Sequence, residues 1–531
     1  MDLSVKQNSD GTINRYKDRL VAKDFLQTEG VDYQETFSLV VKAATIRIIL
    51  SMVVMNNWKL RQIDINNAFL NGELTETVYM PQPEGFVDAD HPRYVCKLKK
   101  AFYSLKLAPR AWFDKLRLVL ESWHFCRAKS DTSLFFKQNE SDLIILLVYV
   151  DDIIVTRSNH VKIEQLIYNL GNTFALKDLG KLNFFLGIEI TRNEETLVLS
   201  QTKDLKELLT KFDMKNYNGL DTPLATTEKL SKYVGEKCAD STQYRRAIGR
   251  LQYVVLTKLE IAYAVNKLSQ FMANPLQPHW TACKRVLKYL KETIDYGLIF
   301  KKFDCLDLIA YSDADWGSDP DDRRSTSGYC IYLGDNLINW SSNKQSVVSK
   351  SSTELEFRAM ALASVEITWI CSLLKELGVK PNCTPLLLSD STSVVAIATN
   401  LVLHSKTKYI EIDIHFVKDK VEKKEIEIVF VSSSDQTVDV LTKPFTYSKF
   451  NFFQNKLKVS SRDLSLKRDV KLENETELGS THVGMPAEIY LLTKEGVHTS
   501  EVMQSTRAEK EYSRWQNSYT EISKLLCDAD N

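Results

Sequence analysis

Three aspartates end strand-like segments in the first third of the chain. Asp64 lies in LRQIDINNAF, and Asp151 and Asp152 lie in LIILLVYVDDIIVT, where two β-branched runs meet in a predicted hairpin. An acid in an apolar strand is costly unless it is paired or holds a cation. Carboxylates at the ends of neighbouring strands can hold two Mg²⁺ ions about 3.5–4 Å apart, which serves transfer of a nucleotide to a primer 3′-hydroxyl.

These three aspartates also have an ordinary structural explanation. An Asp-Asp pair suits the tip of a hairpin, and Asp64 could cap the end of its strand. On residue type alone, the turn interpretation is favoured for Asp151 and Asp152. A catalytic interpretation therefore needs support from the rest of the chain.

A second group of acids is spread over the C-terminal half of the chain. It comprises Asp313, Glu356, Asp390 and Asp439. In that order, the four acids are predicted to lie in a strand, in the first turn of a helix, at the end of a strand and at the start of a helix. Four acids from four elements are what a two-metal hydrolytic site requires. Each could instead be a turn acid, a helix-dipole partner or a cap, and Asp315 and Glu354 are alternative ligands.

The helices and strands that must position these acids are predicted from the spacing of apolar residues along the chain. Residues 226–305 have helical periodicity, and a helix is predicted to open at Pro278. From residue 306 strands and helices alternate, with a hairpin turn at 334–336. A long helix is predicted to open at Ser351, with Glu354 in a capping box, and to end near Gly378. This order predicts a mixed sheet with helices packed on it.

Composition limits the class of protein. The chain has 531 residues, enough for two to four domains, with 44% hydrophobic and 26% charged residues and no formal net charge. No apolar run approaches the roughly 20 residues of a membrane span, so no membrane partner is expected. Nine cysteines without a CxxC pair argue against a disulfide framework and a zinc site, and for a reducing compartment. We expect a cytoplasmic protein, with a nuclear role only by analogy.

Cations are concentrated near the first acid group. Residues 91–130 carry ten lysines and arginines, Lys106 and Arg110 among them, opposed only by Asp114 and Glu121. Cations for phosphates beside carboxylates for metal are what a polymerase needs, although a solvated basic face would look the same. A second stripe, on the predicted helix after Pro278, consists of Lys284, Lys288 and Lys291. It could follow a nucleic-acid backbone or serve only solubility.

A series of motifs over residues 13–446 resembles the copia-type reverse transcriptase family. The first part of the series is RYKDRLVAKDF, DYQETFSLVVK, TIRIIL, QIDINNAFLNGEL, VCKLKKAFYSLKLAPRAWF, LLVYVDDIIVT and KDLGKLNFFLGIEI. The second part is YRRAIGRLQYV, IAYAVNKLSQFM, HWTACKRVLKYLKETIDYGL, YSDADWGSDPDDRRSTSGY, SSTELEF, LLLSDSTSV, HSKTKYIEIDIHFV and VDVLTKPF. The YVDD signature alone is moderately specific, whereas the ordered series is very specific.

The resemblance implies site residues for two activities. For an RNA-directed DNA polymerase it implies Asp64 and Asp151 as the main metal ligands, with Asp152 close by. For ribonuclease H it implies the quartet of Asp313, Glu356, Asp390 and Asp439, and the spacing of FRAMAL favours Glu356 over Glu354. Lys17, Arg19 and Lys23 are candidates for contact with nucleotide or template phosphates. The implied ions are Mg²⁺ or Mn²⁺, and the implied partners are an RNA template, a DNA primer, dNTPs and an RNA–DNA hybrid.

The resemblance also implies an architecture of several domains. We expect an α+β and α/β multidomain chain with a right-hand polymerase of fingers and an antiparallel palm sheet at 1–225, truncated at its N-terminus. A helical thumb or connection is expected at 226–305, a ribonuclease H-like mixed α/β domain at 306–446 and a tail of unassigned role at 447–531. The oligomeric state is not indicated.

Several positions depart from the family's pattern. Ser104 and Asp24 replace usual glycines, and Leu107 replaces a usual glutamine. The remaining departures are Ser391 for Asn, Tyr409 for His and Asp413 for Arg. A side chain at 104 threatens close backbone approach to the substrate, and Leu107 removes an amide. All seven acids persist, so an active enzyme and a catalytically decayed nucleic-acid-binding remnant both remain open.

Overall fold

The computed structural model describes residues 2–7, 12–19, 21–22, 24–33, 41–83, 85–139, 142–157, 161–193, 195–400 and 411–461. Lys23, Tyr409 and the tail beyond residue 461 lie outside the described residues. Lys17 and Arg19 lie on a described strand.

The N-terminal part of the chain is built on an antiparallel sheet. Its first elements are β1 Asp2–Gln7, β2 Ile13–Arg19, a 3-10 turn Asp24–Leu26, α1 Ala43–Met55, β3 Lys59–Ile65, a 3-10 turn Ala68–Asn71, β4 Tyr79–Pro81 and β5 Val95–Lys97. Its later elements are α2 Ala108–Ser122, β6 Cys126–Arg127, β7 Leu134–Asn139, β8 Asp142–Tyr149, β9 Asp152–Arg157, α3 Val161–Thr173 and β10 Leu176–Lys181. Six strands pair in the order β10-β3-β9-β8-β7-β6, while β1 with β2 and β4 with β5 form separate ribbons.

Side chains along the central strands alternate between the two faces of the six-stranded sheet, and α2 covers one of these faces. Ile63, Val148 and Ile153 are fully buried on one face, in the same cluster as Trp112 and Leu116 of α2. The hairpin predicted from LIILLVYVDDIIVT is confirmed, because β8 and β9 pair antiparallel with the two aspartates at the turn. The sheet therefore holds the acids at one end of two central strands.

A second antiparallel sheet and a group of helices follow. The elements are β11 Phe184–Phe185, β12 Ile188–Arg192, β13 Thr196–Ser200, α4 Thr202–Lys211, α5 Ser241–Val254, a 3-10 turn Leu259–Ile261, α6 Ala262–Ser269, α7 Gln277–Glu292 and β14 Tyr296–Lys301. Helical periodicity in 226–305 is thus confirmed over α5, α6 and α7. The strand order is β11-β12-β13-β14-β20, in which β20 comes from the C-terminal end of the described chain.

The C-terminal part is a mixed sheet with helices. The elements are β15 Leu308–Ala314, β16 Thr326–Leu333, β17 Asn336–Lys344, α8 Ser352–Glu376, β18 Leu386–Ser389, α9 Thr392–Thr399, α10 Glu411–Glu422, β19 Glu427–Phe430, a 3-10 turn Thr437–Leu441, α11 Tyr447–Lys456 and β20 Val459–Ser461. Strands pair in the order β17-β16-β15-β18-β19, antiparallel on one side of β15 and parallel on the other. Residues 447–461, assigned to the tail by sequence, form α11 and β20.

Helix α8 begins where its sequence predicts. The hydroxyl of Ser351 accepts a hydrogen bond from the backbone N–H of Glu354 at 3.2 Å, and Gly378 after the helix has a φ of 69°. Length and composition alone would let α8 cross a membrane, with a mean hydropathy of 1.4 over its most apolar window. Its apolar residues instead lie in the core, where Leu355, Phe357 and Met360 are fully buried. It is the central helix of this part of the fold.

The six-stranded sheet and the mixed sheet are joined by contacts from α1 and α8. Asn336 donates a hydrogen bond to Ser51 of α1 at 3.0 Å, and the Arg47 guanidinium lies 3.6 Å from the centre of the Trp340 ring. At the far end of α8, Glu376 accepts backbone hydrogen bonds from Lys129 at 2.6 Å and Ser130 at 3.0 Å. One continuous apolar core runs through these contacts. The two parts of the chain are therefore packed as one body.

Asp319 joins the mixed sheet to α6. Its carboxylate is 5% exposed and accepts hydrogen bonds from Lys267 at 2.9 Å and Lys344 at 2.7 Å. Burial acts to raise the pKa of Asp319, but the bonds from Lys344 and Lys267 outweigh it and hold the pKa below its usual range. Asp319 is therefore ionised at neutral pH.

We expect Asp319→Asn to lower the free energy of unfolding by about 3–5 kcal/mol, because it removes the anion of the buried Lys267 and leaves Lys344 with only the more exposed Asp322. Since the folded pKa is depressed, this contribution is present above the unfolded pKa of about 3.9 and is lost as pH falls below it. Urea unfolding at neutral and acid pH measures both effects. Asp322→Asn, which removes a more exposed partner of Lys344, is the matched control and should cost under about 1 kcal/mol. Equal losses of unfolding free energy in the two variants would contradict the assignment of Asp319 as the main anionic partner of the lysines.

Two candidate acidic centres

The first acidic centre lies where β3 meets β9. Asp64 is directly opposite Asp152 in the antiparallel register, so both side chains leave the same face of the sheet about 5 Å apart at their Cβ atoms. Asp151 precedes β9 in the turn, and its carbonyl accepts a hydrogen bond from the N–H of Ile65 at 2.8 Å. The structure thus brings all three predicted acids to one end of two adjacent strands.

Burial and like charge act on the acid in the middle of this group. They raise the pKa of Asp152 to about 6, with burial as the larger cause and the charges of Asp151 and Asp64 adding to it. The side-chain amide of Gln62 opposes the shift by donating a hydrogen bond to Asp152 at 3.2 Å. Gln62 was not among the site residues predicted from the sequence. Its signal is its position two residues before Asp64, on the same face of β3.

The turn between β8 and β9 is strained at Val150. This β-branched residue has a φ of 53°, which costs about 1–2 kcal/mol for an L-residue. The indole N–H of Trp112 in α2 donates a hydrogen bond to the Val150 carbonyl at 2.6 Å. The packed helix α2 therefore supports the strained turn that carries Asp151 and Asp152.

The structure corrects the interpretation of Leu107, which lies in the basic segment just before α2. Ser104 has a φ of 63°, a left-handed conformation that favours glycine. Leu107 is 2% exposed and lies in a small apolar cluster with Val78, Ala101 and Leu105. The departure at 104 is therefore a matter of backbone conformation. The leucine at 107 fills a core position, and its side chain packs against other apolar residues.

We expect Ser104→Gly to be tolerated and to raise primer extension, because it removes strain of about 1–2 kcal/mol at the basic segment. Ser104→Val is the matched control and should be less stable than wild type, since β-branched residues avoid positive φ. Leu107→Gln should lower stability by about 1–3 kcal/mol by burying an amide. Thermal unfolding and primer extension report these effects. A gain in stability from Leu107→Gln would overturn the corrected placement.

The second acidic centre gathers acids from three separate elements. Asp313 is the last residue but one of β15, Glu356 lies one turn into α8, and Asp390 follows β18. One carboxylate oxygen from each of the three lies within 4.8 Å of the other two, and this is the one such group of three found in the described residues. β18 runs parallel beside β15, so the two strand ends meet at the same edge. The convergence predicted for these three acids is present in the structure.

Asp439 lies beside this group with two residues that sequence reasoning missed. Asp439 pairs with Lys443 at 2.9 Å, and the hydroxyl of Thr442 donates a hydrogen bond to Asp313. Burial works against the charge of Lys443, but the facing carboxylates of Asp313, Asp439 and Asp390 raise its pKa. The signal for both residues was their place in the motif VDVLTKPF, three and four residues after Asp439.

The acids of this centre are hard to ionise together. Burial first, and then the charges of Asp313 and Asp390, raise the pKa of Glu356 to about 9. Burial and Asp313 raise the pKa of Asp439 to about 7. Within the described residues, Glu356 Oε2 and Asp439 Oδ1 are buried without a hydrogen-bond partner. A hard divalent cation fits this all-oxygen set and would relieve both the repulsion and the orphaned atoms.

The two alternative acids have other roles in the structure. Glu354 pairs with Arg358 at 3.1 Å and accepts a hydrogen bond from the Lys350 backbone at 2.9 Å. It therefore stabilises the first turn of α8. Asp315 accepts a hydrogen bond from the backbone of Thr326. Asp313 and Glu356 are thus the members that enter the cluster.

The predicted basic residues occupy varied environments. Lys106 is half-buried, and Arg110 lies 3.7 Å from Glu76. Of the stripe on α7, Lys284 stacks on Trp280, Lys288 lies 5.0 Å from the centre of the Tyr217 ring, and Lys291 donates to the Tyr217 carbonyl. All three are half-buried. In this structure Lys288 and Lys291 hold the segment around residue 217 against α7, whereas Lys284 lies over a ring of its own helix.

Comparison with known proteins gives a family for the chain. The family described as reverse transcriptase (RNA-dependent DNA polymerase) matches residues 3–226. The retrovirus-related Pol polyprotein from transposon RE1 of Arabidopsis thaliana is 47% identical over 86% of this chain and 31% of its own length. The corresponding polyprotein from transposon TNT 1-94 of Nicotiana tabacum is 37% identical over 84% of this chain and 34% of its own length. The chain thus spans about a third of these relatives.

Two further matches extend over nearly the whole length of the matched protein. A transposon Ty5-1 protein of Saccharomyces cerevisiae is 31% identical over 57% of this chain and 100% of its own length. A solved structure of LC11-RNase H1 in complex with an RNA/DNA hybrid matches 26% of this chain and 94% of its own, at 15% identity and a TM-score of 0.20, too low to carry an argument. With the series of motifs, the sequence relatives confirm the resemblance. The chain belongs to the copia-type retrotransposon Pol polyproteins, and its residues 3–226 match their reverse transcriptase domain.

Proposed function

We propose that the chain is an RNA-directed DNA polymerase with ribonuclease H activity. The observation that carries the proposal is the gathering of acids into two centres, each at the end of a sheet. Asp64 faces Asp152 across β3 and β9, and Asp313, Glu356 and Asp390 meet at the edge of the mixed sheet. Family membership supports the polymerase half. In this proposal the six-stranded sheet is the palm, the two separate ribbons (β1 with β2, and β4 with β5) belong to the fingers, and α5 to α7 form the thumb or connection.

The proposed cofactor is Mg²⁺, with Mn²⁺ as a substitute. Asp64 and Asp151 would hold it in the polymerase centre, with Asp152 beside them, and Asp313, Glu356, Asp390 and Asp439 in the nuclease centre. A bound divalent ion supplies Lewis acidity and a nucleophilic oxygen at neutral pH. The buried oxygens that lack partners on Glu356 and Asp439 support this assignment.

The residues around each centre orient the acids. Gln62 fixes one oxygen of Asp152, and Thr442 fixes one oxygen of Asp313. Hydrogen bonds of this kind hold a carboxylate in one rotamer, so that its other oxygen remains aimed into the site. Lys443 places a cation beside Asp439, where it also offsets the repulsion among the acids.

The proposed substrates follow from the two centres. An RNA template, a DNA primer and dNTPs would meet at the polymerase centre, and an RNA–DNA hybrid at the nuclease centre. Lys17, Arg19, Lys23, Lys106 and Arg110 remain candidates for phosphate contacts. A catalytically decayed remnant is not favoured, because both acid groups are gathered and the replaced residue Leu107 packs in the core.

We expect the nuclease to be the stronger of the two activities. Its acids are intact and clustered, whereas Ser104 strains the basic segment of the polymerase. Purified protein should be assayed for primer extension on an RNA template and for cleavage of a labelled RNA–DNA hybrid, each with Mg²⁺, Mn²⁺ or a chelator. Robust extension without cleavage would reverse this ranking. Absence of both activities with either ion would refute the proposed function.

A further inference from the structure

Beside the nuclease centre lies an exposed tryptophan that the assigned chemistry does not use. Trp316 is 71% exposed, three residues after Asp313. It opens the loop 315–325, which joins β15 to β16 at the end of the sheet where the acids lie. A large exposed aromatic ring beside a reaction centre offers a flat surface against which a ligand can pack.

The loop that carries Trp316 is fixed at several points. The N–H of Gly317 donates to the Ser325 hydroxyl at 3.0 Å, and that of Arg323 donates to the Asp319 carbonyl at 3.0 Å. Asp319 is itself held by Lys267 and Lys344, as described above. A fixed loop presents its exposed side chains without an ordering cost on binding.

An exposed arginine lies on the opposite side of the same loop. A Cβ on Gly317 would lie 3.5 Å from the carbonyl oxygen of Arg323, so the two sides of the loop touch at this point. Arg323 is exposed and has a φ of 59°, a strained conformation for a residue with a side chain.

The acids of the same loop are engaged elsewhere. Asp319 binds Lys267 and Lys344, and Asp322 lies 2.9 Å from the Lys344 amine. Asp321 accepts hydrogen bonds from the hydroxyl of Ser231 and the backbone of Lys232. The loop therefore exposes a flat aromatic ring and a cationic residue on its two sides, and these two groups match the sugar rings and phosphates of a nucleic-acid strand.

We propose that Trp316 and Arg323 form a platform that binds the RNA–DNA hybrid beside the acidic cluster. Trp316 lies against sugar rings in the wide, shallow minor groove of an A-like duplex, and Arg323 contacts a phosphate. The inference rests on the proposed nuclease function and adds to it the side chains that hold the substrate. Neither residue takes part in the chemistry, so their loss weakens binding and leaves the bond-breaking step intact.

The test measures hybrid binding and cleavage separately. Binding of a labelled hybrid is followed by fluorescence anisotropy with Ca²⁺ in place of Mg²⁺, and cleavage with Mg²⁺ gives kcat and KM. Trp316→Ala should raise Kd and KM about tenfold, with kcat within about twofold, and Trp316→Phe should recover most of the loss. Arg323→Ala should reduce the slope of log Kd against log salt by about one.

Tyr168→Ala is the matched control, because Tyr168 is 69% exposed and lies on α3, a helix that packs on the six-stranded sheet and not on the mixed sheet. It should change neither Kd nor KM. Unchanged Kd and KM in Trp316→Ala, or a fall in kcat alone, would overturn the platform while leaving the nuclease assignment intact. A wild-type protein that binds the hybrid but cleaves none would refute the nuclease assignment, and the Kd of the variants would then decide on the platform alone.

Discussion

Glu356→Gln is expected to reduce hybrid cleavage by about a thousandfold while leaving primer extension unchanged. Glu356 contributes a carboxylate to the cluster with Asp313 and Asp390, and its second oxygen is buried without a partner among the described residues. Loss of one ligand charge at a metal centre removes several kcal/mol of transition-state stabilisation, and about 1.4 kcal/mol corresponds to a factor of ten.

The same variant separates a catalytic role from a structural one. In a chelator at neutral pH, Glu356→Gln should unfold at nearly the wild-type temperature, because burial and like charges already raise the pKa of Glu356 to about 9. Mg²⁺ should stabilise the wild type and stabilise the variant less, since a ligand stabilises the state that binds it. Thermal unfolding with and without Mg²⁺ measures this difference.

Glu354→Gln is the matched control for Glu356→Gln. Glu354 lies two residues earlier on α8, where it pairs with Arg358 outside the cluster. This variant should retain hybrid cleavage within a fewfold of the wild type. If Glu354→Gln abolished cleavage and Glu356→Gln did not, the ligand assignment on α8 would be wrong.

Asp151→Asn and Asp64→Asn should each reduce primer extension by about a thousandfold, for the same electrostatic reason. Hybrid cleavage should persist in both variants, because the two centres lie on different sheets. Asp152→Asn should have a smaller effect, of about 10- to 100-fold, because Asp152 is tied to Gln62 and supports the two ligands.

Asp178→Asn is the matched control for the polymerase centre. Asp178 lies on β10 of the same sheet, where it pairs with Arg61 at the surface. Primer extension by this variant should equal that of the wild type. An active Asp151→Asn variant would refute the placement of the polymerase chemistry at the end of β9, whatever the result for the nuclease.

Much of the local structure was predictable from short stretches of sequence. The β-branched runs on either side of Asp151 and Asp152 predicted a hairpin because alternation is a property of a few consecutive residues. Ser351 and Gly378 marked the ends of α8 because helix capping uses hydrogen bonds within one turn. The family followed from the order of the motifs, which requires no knowledge of the fold.

The sequence alone determined the family, the seven acids and the strands and helices that carry most of them. Only the tertiary structure decided which groups meet. It showed that Leu107 fills a core position, that Lys288 and Lys291 of α7 pack against the segment around residue 217, and that Asp319 is a buried link to α6. The physical reason is that burial and charge pairing depend on elements distant in the chain. Periodicity shows that a helix or strand has two faces, and only packing decides what covers each of them.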